Sequence, residues 1–478
     1  MATILNIIIA VYELGRWLIR VIMLLVIIRK RRPQSATVWL LVVFIAPWLG
    51  LLLYALLGSN RLPRKRLEQH RRFTKRLEAL SDRFDGHPQI SKPRLEPAFA
   101  PTVRLTERLG RMAVLGGNAA EIIADNDDLF QRMIDDIDAA KHHVHALYYI
   151  YQDDAVGRRF GDALMRAARR GVACRLLVDS VGSWTMLKRL APKLARAGVE
   201  VFDALPVGLF RKNVARYDLR NHRKLLVVDG RIAYMGSHNM VDASYGTASL
   251  QWCDLSVRLR GPVVLDLQTV FASDWYFETD DLLEGPEIFP ETGAQGDTAI
   301  QVIPSGPNFL TENYHCLVVA ALHGAQECVT MTTPYFVPDD SMLNALETAA
   351  LRGVEVNLVV PRESDQIIVG AAGEAHFEEL LNWGVNVYLY ESAIIHAKTL
   401  TLDRAMAFVG TSNLDIRSFA LNFECNLAVY SDRFVEQLRR QQQQYIQSST
   451  RLDLDTWEKR STAHDIYVNL AKLFSPLL

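Results

Sequence analysis

Two short runs of the sequence share one spacing of histidine, lysine and aspartate, H-x-K-x4-D. Their members are His222, Lys224 and Asp229 in the first run and His396, Lys398 and Asp403 in the second. A histidine and a lysine two residues apart on a strand project from the same face, so a phosphate over that face can contact an imidazole and an ammonium together. Asp229 and Asp403 suit a supporting part, and capping of backbone amides in a turn is the alternative. The pattern predicts phosphate chemistry by the imidazoles, with the ammoniums neutralising phosphate oxygens.

Small and polar residues follow each run at a similar distance. Asp229 and Gly230 form a typical tight-turn pair, which predicts a hairpin whose returning strand lies beside the histidine. The glycines at Gly236 and Gly410 are expected to let the backbone approach a phosphate closely. The side chains expected to bind the substrate by hydrogen bonds are those of Ser237, Asn239, Thr411, Ser412 and Asn413.

Two carboxylates downstream of the runs are candidates to orient the histidines. Asp254 follows His222, and Glu424 follows His396 at a comparable distance, each on an expected neighbouring strand. A carboxylate bonded to the second ring nitrogen of a histidine fixes its tautomer and favours the imidazolium. Simple solvation on an edge strand is the alternative for both carboxylates.

The elements that must position these residues repeat along the chain, because strand, helix and strand patterns recur in the same order. The matched segments are residues 143–151 with 328–337, 171–179 with 353–360, and 197–202 with 383–390. This repeat predicts an α/β protein with two halves, each a helix-covered sheet. The Gly-rich, Pro-rich and acidic residues 284–298 are the expected linker between the halves.

The N-terminus is apolar over two segments. Residues 38–57 carry no charge over the length that a helix needs to cross a hydrocarbon core, which predicts a membrane-spanning helix kinked at Pro47. Residues 4–28 are nearly as apolar. Their polar residues lie on one helical stripe that can face a partner helix or, if the helix lies in the membrane interface, water. The stripe consists of Asn6, Glu13, Arg16 and Arg20. A cleaved signal peptide is the alternative.

Charge is informative only near the N-terminus. The net charge of the 478 residues is -1, which argues against a dedicated nucleic-acid binder. Residues 61–76 are rich in arginine and lysine and are expected to attract anionic lipid, a solvated charged helix being the alternative. Basic clusters on both sides of residues 38–57 leave the topology undecided. The 5 cysteines lack disulfide-framework or metal-ligand spacing, so no metal site is expected.

These features together resemble the phospholipase D superfamily, whose members bring two such runs across a pseudo-twofold axis into one active site. Within it, the chain is similar to the bacterial cardiolipin synthases in its two N-terminal apolar segments, RNHRK at residues 220–224, NLDIRS at 413–418 and the ending LFSPLL. The resemblance implies two repeated phospholipase D-like α/β domains preceded by membrane helices. The implied boundaries are residues 1–60 for membrane segments, 61–100 for a basic juxtamembrane linker, 101–288 for the first domain and 289–478 for the second.

The resemblance also implies an activity. One phosphatidylglycerol would give its phosphatidyl group to another, yielding cardiolipin and glycerol through a phosphohistidine intermediate, with no metal and no cofactor. In several relatives the N-terminal histidine is the nucleophile, which assigns attack to His222 and the parts of acid and then base to His396. Lys224 and Lys398 would neutralise the transition state. The implied partners are phosphatidylglycerol, other anionic phospholipids and the bilayer, without nucleic acid, and the implied location is the bacterial cytoplasmic membrane.

Other functions fit parts of the pattern. A phospholipase D or a phosphatidylserine synthase would share the fold and the site, and would differ in whether water, serine or a lipid alcohol accepts the phosphatidyl group. A nuclease of the superfamily would have no evident use for the apolar N-terminus. A non-enzymatic membrane scaffold would be expected to have lost a histidine or a lysine. Cardiolipin synthesis is the favoured prediction, and the acceptor separates it from its strongest rival.

Overall fold

A computed structural model gives the fold of the protein. The described residues are 2–31, 33–58, 66, 68–70, 72, 97–110, 112–207, 218–245 and 251–475. Most of the basic linker predicted at residues 61–100 lies outside the described residues, as does the end of the LFSPLL run.

The N-terminal region folds into three helices, α1 (Ala2–Lys30), α2 (Pro33–Ile45) and α3 (Pro47–Leu57). Pro47 lacks an N–H and its ring clashes with the preceding turn, so one helix ends at Ile45 and the next begins at the proline. Helices of 13 and 11 residues therefore occupy the region predicted to be one spanning helix, and the break between them lies at Pro47, where the sequence predicts a kink. Within the described residues, no helix has both the length and the apolar character that crossing a membrane requires.

One residue in the polar stripe of α1 contacts a neighbouring helix. Glu13 accepts a hydrogen bond from Arg16 at 2.6 Å. Arg20 donates to the backbone oxygen of Phe44 at 2.9 Å, near the end of α2. Because carbonyls in the last turn of a helix have no partner within it, Arg20 satisfies one of them. The sequence predicts that this stripe faces either a partner helix or water, and Arg20 contacts a partner helix.

The remaining chain forms two runs of alternating strands and helices. The first run, after a short 3₁₀ helix (Pro97–Phe99), consists of α4 (Ala100–Gly110), β1 (Leu115–Ile123), α5 (Asn126–Ala139), β2 (His143–Tyr148), α6 (Ala155–Arg169), β3 (Ala173–Asp179), α7 (Trp184–Arg189), α8 (Ala191–Arg196), β4 (Glu200–Ala204), β5 (Leu225–Val228), β6 (Ile232–Gly236), β7 (Trp252–Cys253), β8 (Ser256–Arg260) and α9 (Val263–Thr279). The predicted order of strand, helix and strand is confirmed here.

The second run repeats this order. It consists of β9 (Thr298–Ser305), α10 (Asn313–Gly324), β10 (Cys328–Thr332), β11 (Phe336–Val337), α11 (Asp340–Leu351), β12 (Glu355–Pro361), α12 (Ile367–Glu374), α13 (Phe377–Asn382), β13 (Asn386–Tyr390), β14 (Ile394–Ile395), β15 (Thr399–Leu402), β16 (Met406–Gly410), β17 (Leu414–Asp415), α14 (Ile416–Ala420), β18 (Glu424–Tyr430), α15 (Asp432–Gln447), β19 (Ser449–Arg451), α16 (Leu454–Glu458) and α17 (Thr462–Leu473). Local chemistry matches too, because Asp154 and Asp339 cap the equivalent helices α6 and α11.

The strand order has an approximate twofold repetition about its centre. Fifteen strands are hydrogen-bonded in the order β19-β13-β12-β10-β15-β16-β18-β9-β1-β8-β6-β5-β2-β3-β4. Outward from the central antiparallel pair β1 and β9, each half contributes four antiparallel pairings followed by two parallel ones. The second half adds the antiparallel edge strand β19 beside β13. The strands that follow the two H-x-K runs, β5 and β15, therefore occupy equivalent places. The mixed α/β architecture with a repeated unit is confirmed.

One hydrophobic core cluster joins the two halves. It combines Leu225 and Leu267 of the first half with Val359 and Leu427 of the second, all at 0–1% exposure. Helix α4, predicted to belong to the first domain, packs on the second half, where Leu109 accepts a hydrogen bond from Asn313 at 3.1 Å. The domain boundaries at residues 60, 100 and 288 stay a prediction. A shared core explains how residues from the two halves can be held in one site.

Candidate active site

Each histidine and lysine lies just before the first strand of a hairpin. Lys224 precedes β5, which pairs with β6 in antiparallel fashion, and Lys398 precedes β15, which pairs in the same way with β16. The turns contain Asp229 and Asp403, with φ of 52° and 45°, a left-handed conformation that aspartate tolerates better than most residues. The hairpin predicted from the Asp-Gly pair is present.

The two motif aspartates lie at the far ends of β5 and β15 from the histidines. Asp229 accepts hydrogen bonds from the backbone N–H groups of Lys141, His142 and His143 at 2.8–2.9 Å. The second aspartate, Asp403, accepts three in the same way. Its donors are the backbone N–H groups of Gln326, Glu327 and Cys328, at 2.7–2.8 Å. Both aspartates thus fix the loop that starts the adjacent strand, which is a supporting role.

Replacing Asp229 by alanine is expected to lower the free energy of unfolding by about 2–4 kcal/mol, because three amides lose a charged acceptor and alanine is strained at this φ. Turnover per folded molecule is expected to stay within about threefold of wild type. Thermal unfolding and specific activity check this. Asp229→Asn is the matched control, since it keeps an acceptor oxygen and tolerates the left-handed conformation. A 10²-fold loss of turnover without a stability change would instead place Asp229 in the chemistry.

The two histidines are held by carboxylates from the opposite halves of the chain. His222 Nδ1 lies 2.9 Å from Glu424 Oε1 and 3.1 Å from Glu424 Oε2. His396 Nδ1 lies 2.5 Å from Asp254 Oδ1. Both carboxylates predicted to orient imidazoles do contact one. The carboxylates are exchanged between the halves, because Asp254 binds the second histidine and Glu424 binds the first.

Backbone contacts between the halves cause this exchange. The N–H of His222 donates to the backbone oxygen of Phe423 at 2.9 Å, next to Glu424 in the chain. In the other half, β14 runs parallel to β7, and the N–H of His396 donates to the backbone oxygen of Cys253 at 2.7 Å, next to Asp254. Each histidine is therefore docked on the residue that immediately precedes its carboxylate.

The lysines are buried between the histidines and the carboxylates. Lys224 Nζ donates to the backbone oxygen of His222 at 2.7 Å, and Lys398 Nζ donates to that of His396 at 2.5 Å. Burial lowers the pKa of Lys398 to about 8, although Asp254 and Glu424 oppose this. Burial, followed by the charge of Lys398, also lowers the pKa of Lys224. Charged residues of both halves therefore affect the same two lysines, which indicates that both runs contribute to a single site.

Burial makes both imidazoles neutral. It lowers the pKa of His222 to about 4 and that of His396 to about 3, and the carboxylate partners only partly offset this. Burial alone would raise the pKa of Asp254, but the facing His396 and His238 hold it below the usual range. An ionised carboxylate accepts a hydrogen bond from Nδ1, which leaves the lone pair on Nε2 of a neutral ring. Nε2 is the atom expected to attack phosphorus or carry a proton.

Two aromatic residues that the sequence did not single out pack against the histidines. The Tyr149 ring lies edge-on to His222 with centroids 4.8 Å apart, and the Trp252 ring is stacked on His396 at 4.3 Å. Tyr149 also lies 5.3 Å below the ammonium of Lys224. These rings exclude water and limit rotation of the imidazoles. Trp252 is detectable in the sequence only by its position two residues before Asp254.

Buried ion pairs hold the backbone on either side of His222. Arg220 pairs with Asp179 at 3.1 Å, and Arg223 pairs with Asp274 at 2.5 Å. Asn221 donates to Asp274 at 3.0 Å. Because a half-satisfied buried charge is costly, these pairs fix the segment before β5 in one position. In the sequence, the two arginines stand out only because the RNHRK run resembles the family. A local motif cannot identify their partners, Asp179 and Asp274, because these are distant in the chain.

The five predicted substrate-binding side chains mostly have protein partners. Ser237 exchanges hydrogen bonds with the backbone of Leu255, and Asn239 accepts from the N–H of Ile150. Thr411 donates to Glu424 at 2.5 Å, and Ser412 accepts from Asn426 at 2.7 Å. Among the described residues, Oδ1 of Asn413 is buried without a hydrogen-bond partner. Their part in substrate binding stays a prediction, with Asn413 the member best able to accept a further donor.

The glycines after each motif serve strand packing. A side chain at Gly236 would collide with the backbone of Leu255 and Ser256, and one at Gly410 would collide with Asn426. Close approach of the backbone to a phosphate at these glycines stays a prediction. Each glycine lets β6 or β16 approach its neighbouring strand. Glu424 is the first residue of β18, and Asp254 lies two residues before β8.

Two neutral imidazoles with fixed tautomers and two ammoniums can carry out nucleophilic substitution at a phosphodiester. In the described part of the chain, no group of three or more histidines, cysteines, aspartates and glutamates has an arrangement that could hold a metal ion. A family model described as "Cardiolipin synthase, PLD-like domain" matches residues 133–275 and 318–446, which contain both runs. The chain belongs to the cardiolipin synthase family. A model described as "Phospholipase D-nuclease N-terminal" matches residues 18–59.

Relatives of this cardiolipin synthase family member match it along nearly all its length. "Cardiolipin synthase A" of Yersinia pseudotuberculosis and of Yersinia pestis are each 39% identical over 474 residues, which cover 97% of this chain and 97% of the relative. A crystal structure of phosphatidylserine synthase from Haemophilus influenzae aligns with a TM-score of 0.59 at 16% identity, covering 79% of this chain and 100% of that one. The last likeness shows a shared fold.

The lowered pKa of Lys398 gives the site a pH dependence. As pH rises through about 8, its ammonium loses a proton and can no longer neutralise a phosphate oxygen. An arginine keeps its charge there. The ratio of kcat/KM for wild type to that for Lys398→Arg is therefore expected to fall as pH rises from 7 to 9, measured with one lipid substrate. A ratio that stays constant over this range would contradict an ionising lysine.

Proposed function

We propose that the protein is a cardiolipin synthase that transfers a phosphatidyl group from one phosphatidylglycerol to another. The observation that carries this is the pair of histidines held crosswise by Glu424 and Asp254 beside two lysines. A pair of imidazoles on one phosphate suits a double displacement, in which one forms a bond to phosphorus and the other moves protons. The full-length similarity to cardiolipin synthases A supports the lipid alcohol as acceptor.

The first displacement forms a phosphatidyl-enzyme. Nε2 of His222 attacks phosphorus as the bond from phosphorus to the glycerol head group breaks. The bound phosphodiester anion and Asp254 favour uptake of a proton from water by His396, which is neutral in the free enzyme, and His396 then gives this proton to the departing oxygen. Glycerol leaves, His222 is joined to phosphorus, and His396 is neutral.

The second displacement reverses these roles. A hydroxyl of the second phosphatidylglycerol's head group gives its proton to His396 while its oxygen attacks phosphorus. The bond from phosphorus to His222 breaks, which restores a neutral imidazole and forms cardiolipin. Lys224 and Lys398 neutralise the non-bridging oxygens in both transition states. The proton that His396 gives to glycerol in the first displacement is replaced by the proton from the attacking hydroxyl in the second, and one phosphodiester bond replaces another.

The N-terminal helices are proposed to bind the protein to the bacterial cytoplasmic membrane. Large apolar side chains of α1 are exposed, including Ile4 at 65%, Leu14 at 70% and Leu25 at 58%. A water-exposed surface of this kind is unfavourable, and insertion among lipid chains would remove it from water. Association with anionic lipid also suits the substrates, and no role in binding nucleic acid is proposed.

The test supplies purified full-length protein with phosphatidylglycerol as its only phospholipid, without metal or nucleotide. Cardiolipin and glycerol are expected in equal amounts, quantified by mass spectrometry, and neither is expected with His222→Ala. Phosphatidic acid with little cardiolipin would make water the acceptor and the protein a phospholipase D. Phosphatidylserine on addition of serine, in place of cardiolipin, would make it a phosphatidylserine synthase.

A further inference from the structure

Exposed apolar side chains follow equivalent strands in the two halves. Trp184, which is 58% exposed, begins the helix after β3. In the other half, Ile367 and Ile368, which are 75% and 56% exposed, begin the helix after β12. A single exposed apolar residue is ordinary in a soluble protein. Their recurrence after two strands that hold the same place in the strand order indicates a shared use.

Both exposed groups lie close to the catalytic residues. Ser183, next to Trp184, donates to the backbone oxygen of Tyr149 at 3.0 Å, and the Tyr149 ring packs on His222. On the other side, Asp365, two residues before Ile367, accepts a hydrogen bond from the Tyr335 hydroxyl at 2.7 Å, and Phe336, next to Tyr335, pairs with Leu414 in the segment after the second motif. The charge of Asp365 also raises the pKa of Lys398. The apolar groups therefore flank the catalytic site from its two halves.

The surface beside Trp184 is basic. Residues 184–199, which form α7, α8 and the turn after them, contain two lysines and two arginines and no acid. Lys188 Nζ lies 3.5 Å from the centroid of the Trp184 ring. Tryptophan beside lysine is typical of side chains at the level of lipid head groups, and clustered cations attract anionic lipid. The charge of this surface is complementary to phosphatidylglycerol.

The segment after the N-terminal helices reaches the same region. Arg66 donates to both oxygens of Glu278 at 2.7 and 2.8 Å. Glu278 accepts a hydrogen bond from the backbone N–H of Leu205 at 3.0 Å. Arg220, two residues before His222, donates to the backbone oxygen of Leu205 at 3.3 Å. The helices proposed to bind the membrane are thus joined to the catalytic region by a short path of contacts.

We propose that Trp184, Ile367 and Ile368, together with the basic helices α7 and α8, dock the protein beside its catalytic site on a bilayer containing anionic lipid. This inference rests on the proposed function, because an enzyme with two lipid substrates must receive both head groups from a membrane surface. Docking at this face holds the catalytic histidines near the depth of the phosphates. Both lipids can then reach the site without their acyl chains crossing water.

Helix α17 extends this face in the second half. Its Val468 and Ala471 pack against α12 in a buried cluster with Ala371. Ile466 and Leu470, by contrast, are 58% and 53% exposed. Residues spaced by four lie on one side of a helix, so α17 presents a second apolar side beside the helix that begins with Ile367.

Photo-crosslinking tests the docking directly. The amino acid p-benzoylphenylalanine is placed at position 367 in the full-length protein, and at position 351 as a matched control. Leu351 is 69% exposed but ends α11, before the amino end of β12, whereas Ile367 follows its carboxyl end. In vesicles of phosphatidylglycerol and phosphatidylcholine, irradiation is expected to join lipid to position 367 and not to 351. Lipid joined to neither position, or equally to both, would overturn the proposal.

Activity on two physical forms of the substrate gives a second readout. The variant Trp184→Ser/Ile367→Ser/Ile368→Ser is expected to lose at least about tenfold in cardiolipin formation from vesicles. It is expected to stay within about twofold of wild type on monomeric dihexanoyl phosphatidylglycerol, with Leu351→Ser unaffected on both. Equal losses on both forms would overturn docking. Absence of cardiolipin from wild type would count against the proposed function instead, while the crosslinks would still decide the docking.

Discussion

Alanine in place of His222 or His396 is expected to lower the rate of cardiolipin formation by at least about 10⁴-fold. His222 forms and releases the bond to phosphorus, and His396 moves a proton in each displacement. Each imidazole therefore contributes to both half-reactions. The ammonium of a neighbouring lysine has no lone pair on its nitrogen and cannot replace the imidazole. The rate is measured with phosphatidylglycerol vesicles and purified variants of equal thermal stability. Turnover within tenfold of wild type in either variant would rule out the two-histidine mechanism.

A donor with a reactive leaving group separates the parts of the two histidines. In a short-chain phosphatidyl ester of p-nitrophenol, the departing phenolate needs little protonation, so a general acid contributes little. His396→Ala is then expected to release one equivalent of p-nitrophenolate in a burst and to retain the phosphatidyl group on His222. His222→Ala is expected to release none. Intact-protein mass spectrometry detects the adduct, and the opposite pattern would make His396 the nucleophile.

The local parts of the site could be predicted from the sequence because they depend on short-range rules. The spacing of His222 and Lys224 puts both side chains on one face of an extended segment, and Asp229 with Gly230 specifies the turn that follows. The carboxylates Asp254 and Glu424 could be found since each precedes or starts a strand at a comparable place in the repeat. These predictions needed no knowledge of how the halves meet.

The pairing of histidines with carboxylates could not be predicted in this way. It is decided by backbone hydrogen bonds between segments that are distant in the chain, namely those of His222 with Phe423 and of His396 with Cys253. Two equivalent partners exist for each histidine, and the repeat makes them alike in sequence. Only the contact between the halves distinguishes an exchange of carboxylates from pairing within each half.

The N-terminal region shows a different limit. The hydropathy of residues 38–57 averages over Pro47, whereas the helix is interrupted at that residue by the missing N–H and the ring. Length and apolar character thus predicted a helix that the chain divides into α2 and α3. The glycines Gly236 and Gly410 show the same limit, because their need follows from strand packing that a local motif does not contain.

The exchange of carboxylates between the halves can be tested by replacing each carboxylate with its amide. Glu424→Gln and Asp254→Asn are each expected to lower cardiolipin formation by about 10²–10⁴-fold, because an amide partner neither fixes the Nδ1–H tautomer nor stabilises the imidazolium. Both partners are buried, so water is a poor substitute. The rates are measured with phosphatidylglycerol vesicles, and variants of equal thermal stability are compared.

The p-nitrophenyl donor tells positioning from a general loss of structure. Asp254 acts through His396, so Asp254→Asn should keep the burst of p-nitrophenolate, as His396→Ala does. Glu424 acts through His222, so Glu424→Gln should lose the burst, as His222→Ala does. A fault in folding would reduce the burst in both variants alike. If Asp254→Asn lost the burst and Glu424→Gln kept it, either the nucleophile would be His396 or the exchange would be wrong, and the histidine variants decide between these two explanations.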